Sequence, residues 1–476
     1  CKNGRLRVAT SKWNRTSSEK RWLGNNDNIK DTPHVMTASR VLASYFTIAG
    51  LYTLAASLIW GVNTLFLLNA GLDIFQVFIA NAAFTAGSVV FELPTGIVAD
   101  TWGRRASFLL SVIILFASTL AYVAVATSGG GLLAFCAVSV LMGLGFTFYS
   151  GAVEAWVVDA LIETGFEGQL DHVFARGSMV TGMAMLVGTV GGGLLGSVNL
   201  GLPYLVRAAM LGLVFVVAMI TMHDLGFAPR TLRLAAVPAE LRNVAAESVA
   251  FGWRQRSVRL LMVFSFFQWG FLSWGFYAWQ PYFLELLGTN AVWVAGLIAA
   301  LIALATVLGN ALVDWMSQFC GKRSTILGWA VAAQAVAAVG VGLADSFWLA
   351  AGLFLIVAMA MGVMGPVQQA YLHNSIPTSH RASVISFNAM MGNAGGIIGQ
   401  AGLGYLSRVR SIADGYVVGG LTTLLALPML LLLRRTGGPA DVIVGTKAAL
   451  DGTCAPQGIP SISQVDATPV ALDTDE

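Results

Sequence analysis

Two carboxylates set inside apolar sequence, Glu92 and Glu154, are the residues of this chain best placed to do chemistry. An ionisable group within a membrane-crossing segment is costly, and it marks a pathway or a proton relay. Glu92, Gly96 and Asp100 recur every fourth position, one face of a helix. That spacing sets the two carboxylates roughly 12 Å apart along the axis. Pro94 loosens the helix locally. A carboxyl there suits a group that loads and releases a proton; the alternative is a fixed, hydrogen-bonded structural carboxylate. Glu154, in FYSGAVEAWVVDA, is the second proton-coupling candidate, and Asp159 beyond it reads as a solvated or latch-contacting residue. Arg207 reads as a side chain snorkelling to the interface from the outer end of its helix.

Covalent chemistry has little to work with. Neither His-Glu-x-x-His nor Gly-x-Ser-x-Gly occurs, and the Gly-Lys at 321–322 lacks the rest of an ATP-binding loop. Cys1, Cys136, Cys320 and Cys454 show neither metal-ligand spacing nor a disulfide framework. No cofactor or metal is expected. Basic residues spread along loops rather than over one folded face, which argues against nucleic acid as a partner.

The elements that must hold these residues are membrane helices. Of 476 residues, 56% are hydrophobic and 11% charged, against roughly 25% charged in a soluble domain. Apolar runs near 44–68, 75–99, 106–127, 131–156, 174–197 and 203–222 are long enough to cross a bilayer as helices. Six more lie near 258–284, 292–315, 324–343, 347–372, 382–405 and 413–433. The expected architecture is all-α and integral to the membrane: a segment 1–43, a six-helix bundle 44–222, a polar loop 223–257, a second bundle 258–433 and a disordered tail 434–476. Residues 1–40 are polar and basic and do not read as a signal peptide, and Cys1 in place of methionine suggests a trimmed start. Placing both termini in the cytoplasm puts 24 of the 27 Lys and Arg on that side, leaving Arg207, Arg408 and Arg410. The halves also repeat. RGSMVTGMAMLVGTVGG from Arg176 parallels RASVISFNAMMGNAGG from Arg381, and ADTWGRR parallels VDWMSQFCGKR. Two like-oriented six-helix halves form a parallel-repeat plan.

FELPTGIVADTWGRRAS resembles the signature loop between helices 2 and 3 of the major facilitator superfamily, matching at Gly96, Asp100, Gly103, Arg104 and Arg105. The resemblance extends over 44–433. It implies a conformational latch built from these residues, with Asp314 as its degenerate counterpart in the second half. It implies alternating access, commonly by a monomer, with protons and a small-molecule substrate as partners in the plasma membrane. Gly188, Gly192, Gly193, Gly196 and Ser197 resemble the helix 5 signature of drug:proton antiporters, with glycine at the expected proline. The arginine such antiporters often carry in helix 4 is absent from Ser139–Gly143.

In that family the first helix of each three-helix unit lines the central path. Carried over, this nominates Tyr52, Trp60 and Asn63, then Tyr149, then Gln268, Trp274, Tyr277 and Gln280, then Gln368 as substrate-binding residues. Aromatic walls with a few amides suit an amphipathic or aromatic compound. A hydrophilic anion would call for arginines facing the cavity, and none is read mid-membrane. The leading expectation is proton-coupled efflux of such molecules; proton-coupled import of a nutrient or metabolite is the alternative.

Overall fold

The computed structural model describes residues 36–227, 253–289, 291–376, 381–436 and 438–443. The first half begins with α1 (Ala38–Ser57) and α2 (Asn63–Asn69), which together make one span broken at 58–62. Then follow α3 (Ile74–Trp102), α4 (Arg104–Thr127), α5 (Leu132–Tyr149) with α6 (Ala152–Glu163), α7 (Leu170–Val198) and α8 (Leu202–Thr221). The second half runs α9 (Arg256–Leu287), α10 (Val292–Phe319), α11 (Arg323–Gly342), α12 (Phe347–Ser375) and α13 (Arg381–Val409). It ends with α14 (Ile412–Thr423) and α15 (Leu427–Thr436), joined through a short 3-10 turn. The whole is a twelve-span, two-bundle membrane fold. The side where α1 begins is the near side below, and the opposite side the far side.

Ten described helical stretches are long and apolar enough to cross a bilayer unaided. The spans that fall short are the broken first one and α13, which is rich in Gly, Asn, Ser and Gln. Both lie against other helices, α1 on α7 and α8, and α13 on α9, α3 and α14, so neighbouring protein takes the place of lipid. Another departure from the expected spans is in the fourth. Gly151, at φ +75°, ends the helix expected to run through 156 and starts α6 in a new direction.

The repeat seen in the sequence is carried out in the packing. In the first half α7 lies on α1 through glycines, Gly188 meeting Ser57 and Gly192 meeting the Leu58 carbonyl. In the second half α13 lies on α9 in the same way, Gly395 meeting the Phe266 carbonyl and Gly399 that of Gly270. Small residues are what allow such approach, since lipid supplies no hydrophobic force between helices.

The halves then meet crosswise, α7 on α10 and α3 on α13. At the first seam Gly193 faces Gly296, where an added Cβ would lie 2.7 Å from the opposing Cα. Overpacking a tight contact costs about 1–3 kcal/mol. Gly296→Leu is therefore expected to open this seam, read as faster maleimide labelling of a cysteine placed at Ala299; unchanged labelling would show that the seam is not closed by this contact.

Candidate functional site

On the near side the chain turns from α3 into α4 at Gly103, whose φ of +103° few side chains tolerate. Asp224, just past α8, fills the space a Cβ would need there, and its carboxylate accepts the Arg105 backbone N–H at 2.9 Å. An acidic side chain on a helix N-terminus satisfies orphan amides and meets the positive end of the helix dipole. Arg104 pairs with Asp100 at 2.8 Å and lies 3.9 Å from Asp159 on α6. Arg105 donates to the Met219 carbonyl at 2.9 Å. Gly96 is exposed, with open space around it.

The second half builds the same device from different residues. Asp441, 1% exposed, accepts the Ser324 backbone N–H at 2.7 Å and the Ser324 hydroxyl at 2.8 Å, capping α11. Arg323 donates to the Ala440 and Val442 carbonyls. Residues 438–443 therefore pack onto the loop after α10, whereas the sequence reading gave the whole of 434–476 to a disordered tail; 444–476 lie outside the described residues. Asp314 is exposed near the end of α10.

Glu92 is exposed on α3, and among the described residues no hydrogen bond or ion pair engages its carboxylate. Glu154 is exposed in the first turn of α6, next in electrostatic reach of Tyr149, Tyr52 and Tyr45. Tyr52 and Tyr149 stack face to face with centroids 3.7 Å apart.

On the far side a hydrogen-bonded clasp joins the halves at the break between α1 and α2. The Gln280 amide oxygen accepts the Thr64 N–H at 2.9 Å, and its nitrogen donates to the Trp60 carbonyl at 2.8 Å. The Thr64 hydroxyl donates to the Tyr277 carbonyl at 2.9 Å. One buried amide thus satisfies backbone groups that the helix break leaves open. The clasp continues inward: Asn63 donates to Asn81 and accepts from the Tyr204 hydroxyl. Further out, Arg408 lies 3.5 Å from Asp73, itself the capping-box residue of α3.

Beneath the clasp lies a cavity of about 430 Å³ between the halves. Its walls are Trp60, Phe84, Met185, Trp269, Phe276, Tyr277, Trp279, Phe354 and Met361, with Thr85, Thr189, Ser273, Thr306 and Gln400 as polar points. No Asp, Glu, Lys, Arg or His is among its lining residues.

A family model for the Major Facilitator Superfamily matches residues 45–311 and 293–465. The chain belongs to that superfamily. No curated protein matched it. Among solved structures it is similar to the nucleoside transporter NupG, with 10% identity, a TM-score of 0.70, and coverage of 83% of this chain and 99% of that one. It is similar to a peptide transporter POT in complex with sulfate, at 16% identity and a TM-score of 0.66, covering 85% and 96%. The human organic anion transporter MFSD10 (TETRAN) aligns at 18% identity and a TM-score of 0.57, covering 83% and 100%. At these identities the likeness establishes the fold.

Within this superfamily fold, the residues nominated for substrate separate into groups. Trp60 and Tyr277 line the cavity. Gln280 and Asn63 belong to the clasp. Trp274 is fully buried against Tyr416 and Phe78. Gln368 bonds Ser265, which also bonds Asn388. Gln268 is buried, with both amide atoms unpartnered among the described residues, and Tyr52 and Tyr149 form the stacked pair. Phe354, Met361 and Gln400 border the cavity without having been nominated; only the order of helices around the path, not any local signal, could have found them.

One position is corrected outright. Arg207 does not snorkel: it is 7% exposed, inside the first bundle. Its place in the sequence, near a helix end, gave the depth along the span and not the direction of the side chain.

Losing the buried Asp441 carboxylate leaves the α11 amides unsatisfied, at a cost of about 1–3 kcal/mol. Asp441→Ala is expected to lower the melting temperature in detergent more than the same change at the exposed Asp224. Equal effects would mean that burial does not set the strength of these caps.

Proposed function

We propose that this protein is a proton-coupled secondary transporter that exports amphipathic or aromatic small molecules by alternating access, acting as a monomer in the plasma membrane. The observation that carries the reading is the cavity between the halves, about 430 Å³, aromatic-walled and free of formally charged side chains. Such a site binds by apolar burial and ring contacts, with a few hydroxyl and amide groups fixing orientation. Transport itself follows from the family; the substrate class, the coupling ion and the direction are the proposal.

The positive-inside count supports a cytoplasmic near side. The state described is then closed toward the outside by the Gln280 clasp, the Gly193–Gly296 seam and the Arg408–Asp73 pair. Export is favoured by the glycines of α7, which resemble the antiporter signature and lie along the seams with α1 and α10. The near-side network of Asp100, Arg104, Arg105 and Asp159 holds α3, α4 and α6 together, so that this end of the first half moves as one piece.

Glu92 is the proton carrier in this reading. Among the described residues its carboxylate has no partner, and it stands in a largely apolar span on the face that leads to Asp100. An unpaired carboxylate in that setting gains most by binding a proton when the site faces away from water. Glu154 is the second carrier, at the near-side end of the Tyr149–Tyr52 stack.

In proteoliposomes with an imposed pH gradient, the protein is expected to move an aromatic amphipathic probe against counter-moving protons. Transport indifferent to collapse of the gradient would remove the coupling. Glu92→Gln is expected to cut gradient-driven transport by more than about a hundredfold with probe binding retained; full driven activity in that variant would return Glu92 to a structural role.

A further inference from the structure

Transport as described leaves one costly feature unused. Arg207 sits in the first third of α8, roughly 8 Å from the helix start, and is buried. Its Nε is sealed and without an acceptor, and among the described residues no ion pair or hydrogen bond engages the guanidinium. The groups in electrostatic reach are Tyr52, Tyr204 and Tyr122. Two of these phenols are already hydrogen-bonded elsewhere: Tyr122 bonds Ser139 at 2.6 Å, and Tyr204 donates to Asn63 at 2.7 Å. The third, Tyr52, is stacked on Tyr149. Glu154 is also in electrostatic reach of Tyr52, with a sign opposite to that of Arg207, yet among the described residues the two make no ion pair. A buried guanidinium lacking both counter-charge and acceptors is among the most expensive arrangements a protein can hold. What it lacks is an anion.

The route to that cation is through Tyr277. This residue comes from α9 of the opposite half, lines the cavity, and is in electrostatic reach of Tyr122 and Tyr204. Its backbone is held to the first half by the Thr64 hydroxyl. Tyr277 thus stands between the apolar cavity and the tyrosines around the cation, and it belongs to the half opposite Arg207.

We propose that Arg207 is an anion-recognition site and that the transported molecule carries a carboxylate at one end of an aromatic body. The carboxylate seats on the planar fork of the guanidinium, which offers paired N–H donors at matching spacing. The aromatic body lies in the cavity. Withdrawal of Tyr277 as the far-side clasp opens exposes the cation, and its return covers the bound anion. The inference rests on the transport reading above and narrows its substrate class to organic anions.

The test uses the full-length protein and three probes of one shape: 2-naphthoate, 2-naphthamide and 2-naphthylmethylammonium. Binding is read by quenching of tryptophan fluorescence, transport in proteoliposomes. The wild type is expected to prefer the carboxylate over the amide by at least about tenfold, with the ammonium weaker still. Arg207→Gln is expected to erase that preference while amide binding persists. Should Arg207→Gln not fold, Arg207→Lys carries the test: it keeps the charge but not the fork, and is expected to lower the carboxylate preference several-fold at an unchanged melting temperature. Equal affinity for carboxylate and amide in the wild type, or a preference that survives either substitution, overturns the assignment and leaves the transport reading standing. Neglect of all three probes overturns both.

Discussion

Hydrocarbon cannot hydrogen-bond to a backbone, and this constraint decides where the protein can keep its working parts. Unbroken helix satisfies itself and does nothing further. Function therefore collects where helices break, end or touch. The gap between α1 and α2 frees backbone groups that Gln280 of the other half takes up, so a local defect becomes the clasp between halves. The starts of α4 and α11 leave amides that Asp224 and Asp441 accept, which ties the last helix of each half to its third. Where helices must slide or separate, glycines let backbones meet without interlocking side chains.

The twofold repeat gives these devices their logic. In each half the same helix pairs pack together, and each half presents its second and fifth helices to the other. The chemistry is nonetheless unequal. The first half holds the complete arginine–aspartate loop, the carboxylates Glu92 and Glu154, and the buried cation. The second half supplies most of the cavity wall and the clasp glutamine. One bundle is thus equipped for charge and the other for shape, with Tyr277 and Trp60 standing where they meet.

Much of the fold was legible in the sequence because it rests on periodic, one-dimensional signals. Apolar run length marks the spans, and the paired glycine runs after Arg176 and Arg381 mark the repeat. The motif from Gly96 to Arg105 marks the family. What escaped was direction and partnership. Gln280 and Asn63 have the composition of cavity residues, but only the bend at 58–62 turns them into the clasp. Asp441 sits in a polar tail without periodicity, and its partner Ser324 is more than a hundred residues away, so no local pattern announces the cap. Arg207 lies near a helix end, where snorkelling is the ordinary outcome; the tyrosines that enclose it come from three separate spans.

Alternating access requires the two halves to part at the far side while each keeps its own shape. Pulsed electron-spin distances between labels on Asn69→Cys and Arg410→Cys, in opposite halves, measure this directly. The pair Asn69→Cys and Asn199→Cys, within the first half, serves as reference. In lipid the cross-half pair is expected to show two populations, the longer one growing with pH change or transported probe, while the within-half pair keeps a single distance. A cross-half distance that never changes, or a within-half distance that changes equally, would contradict it.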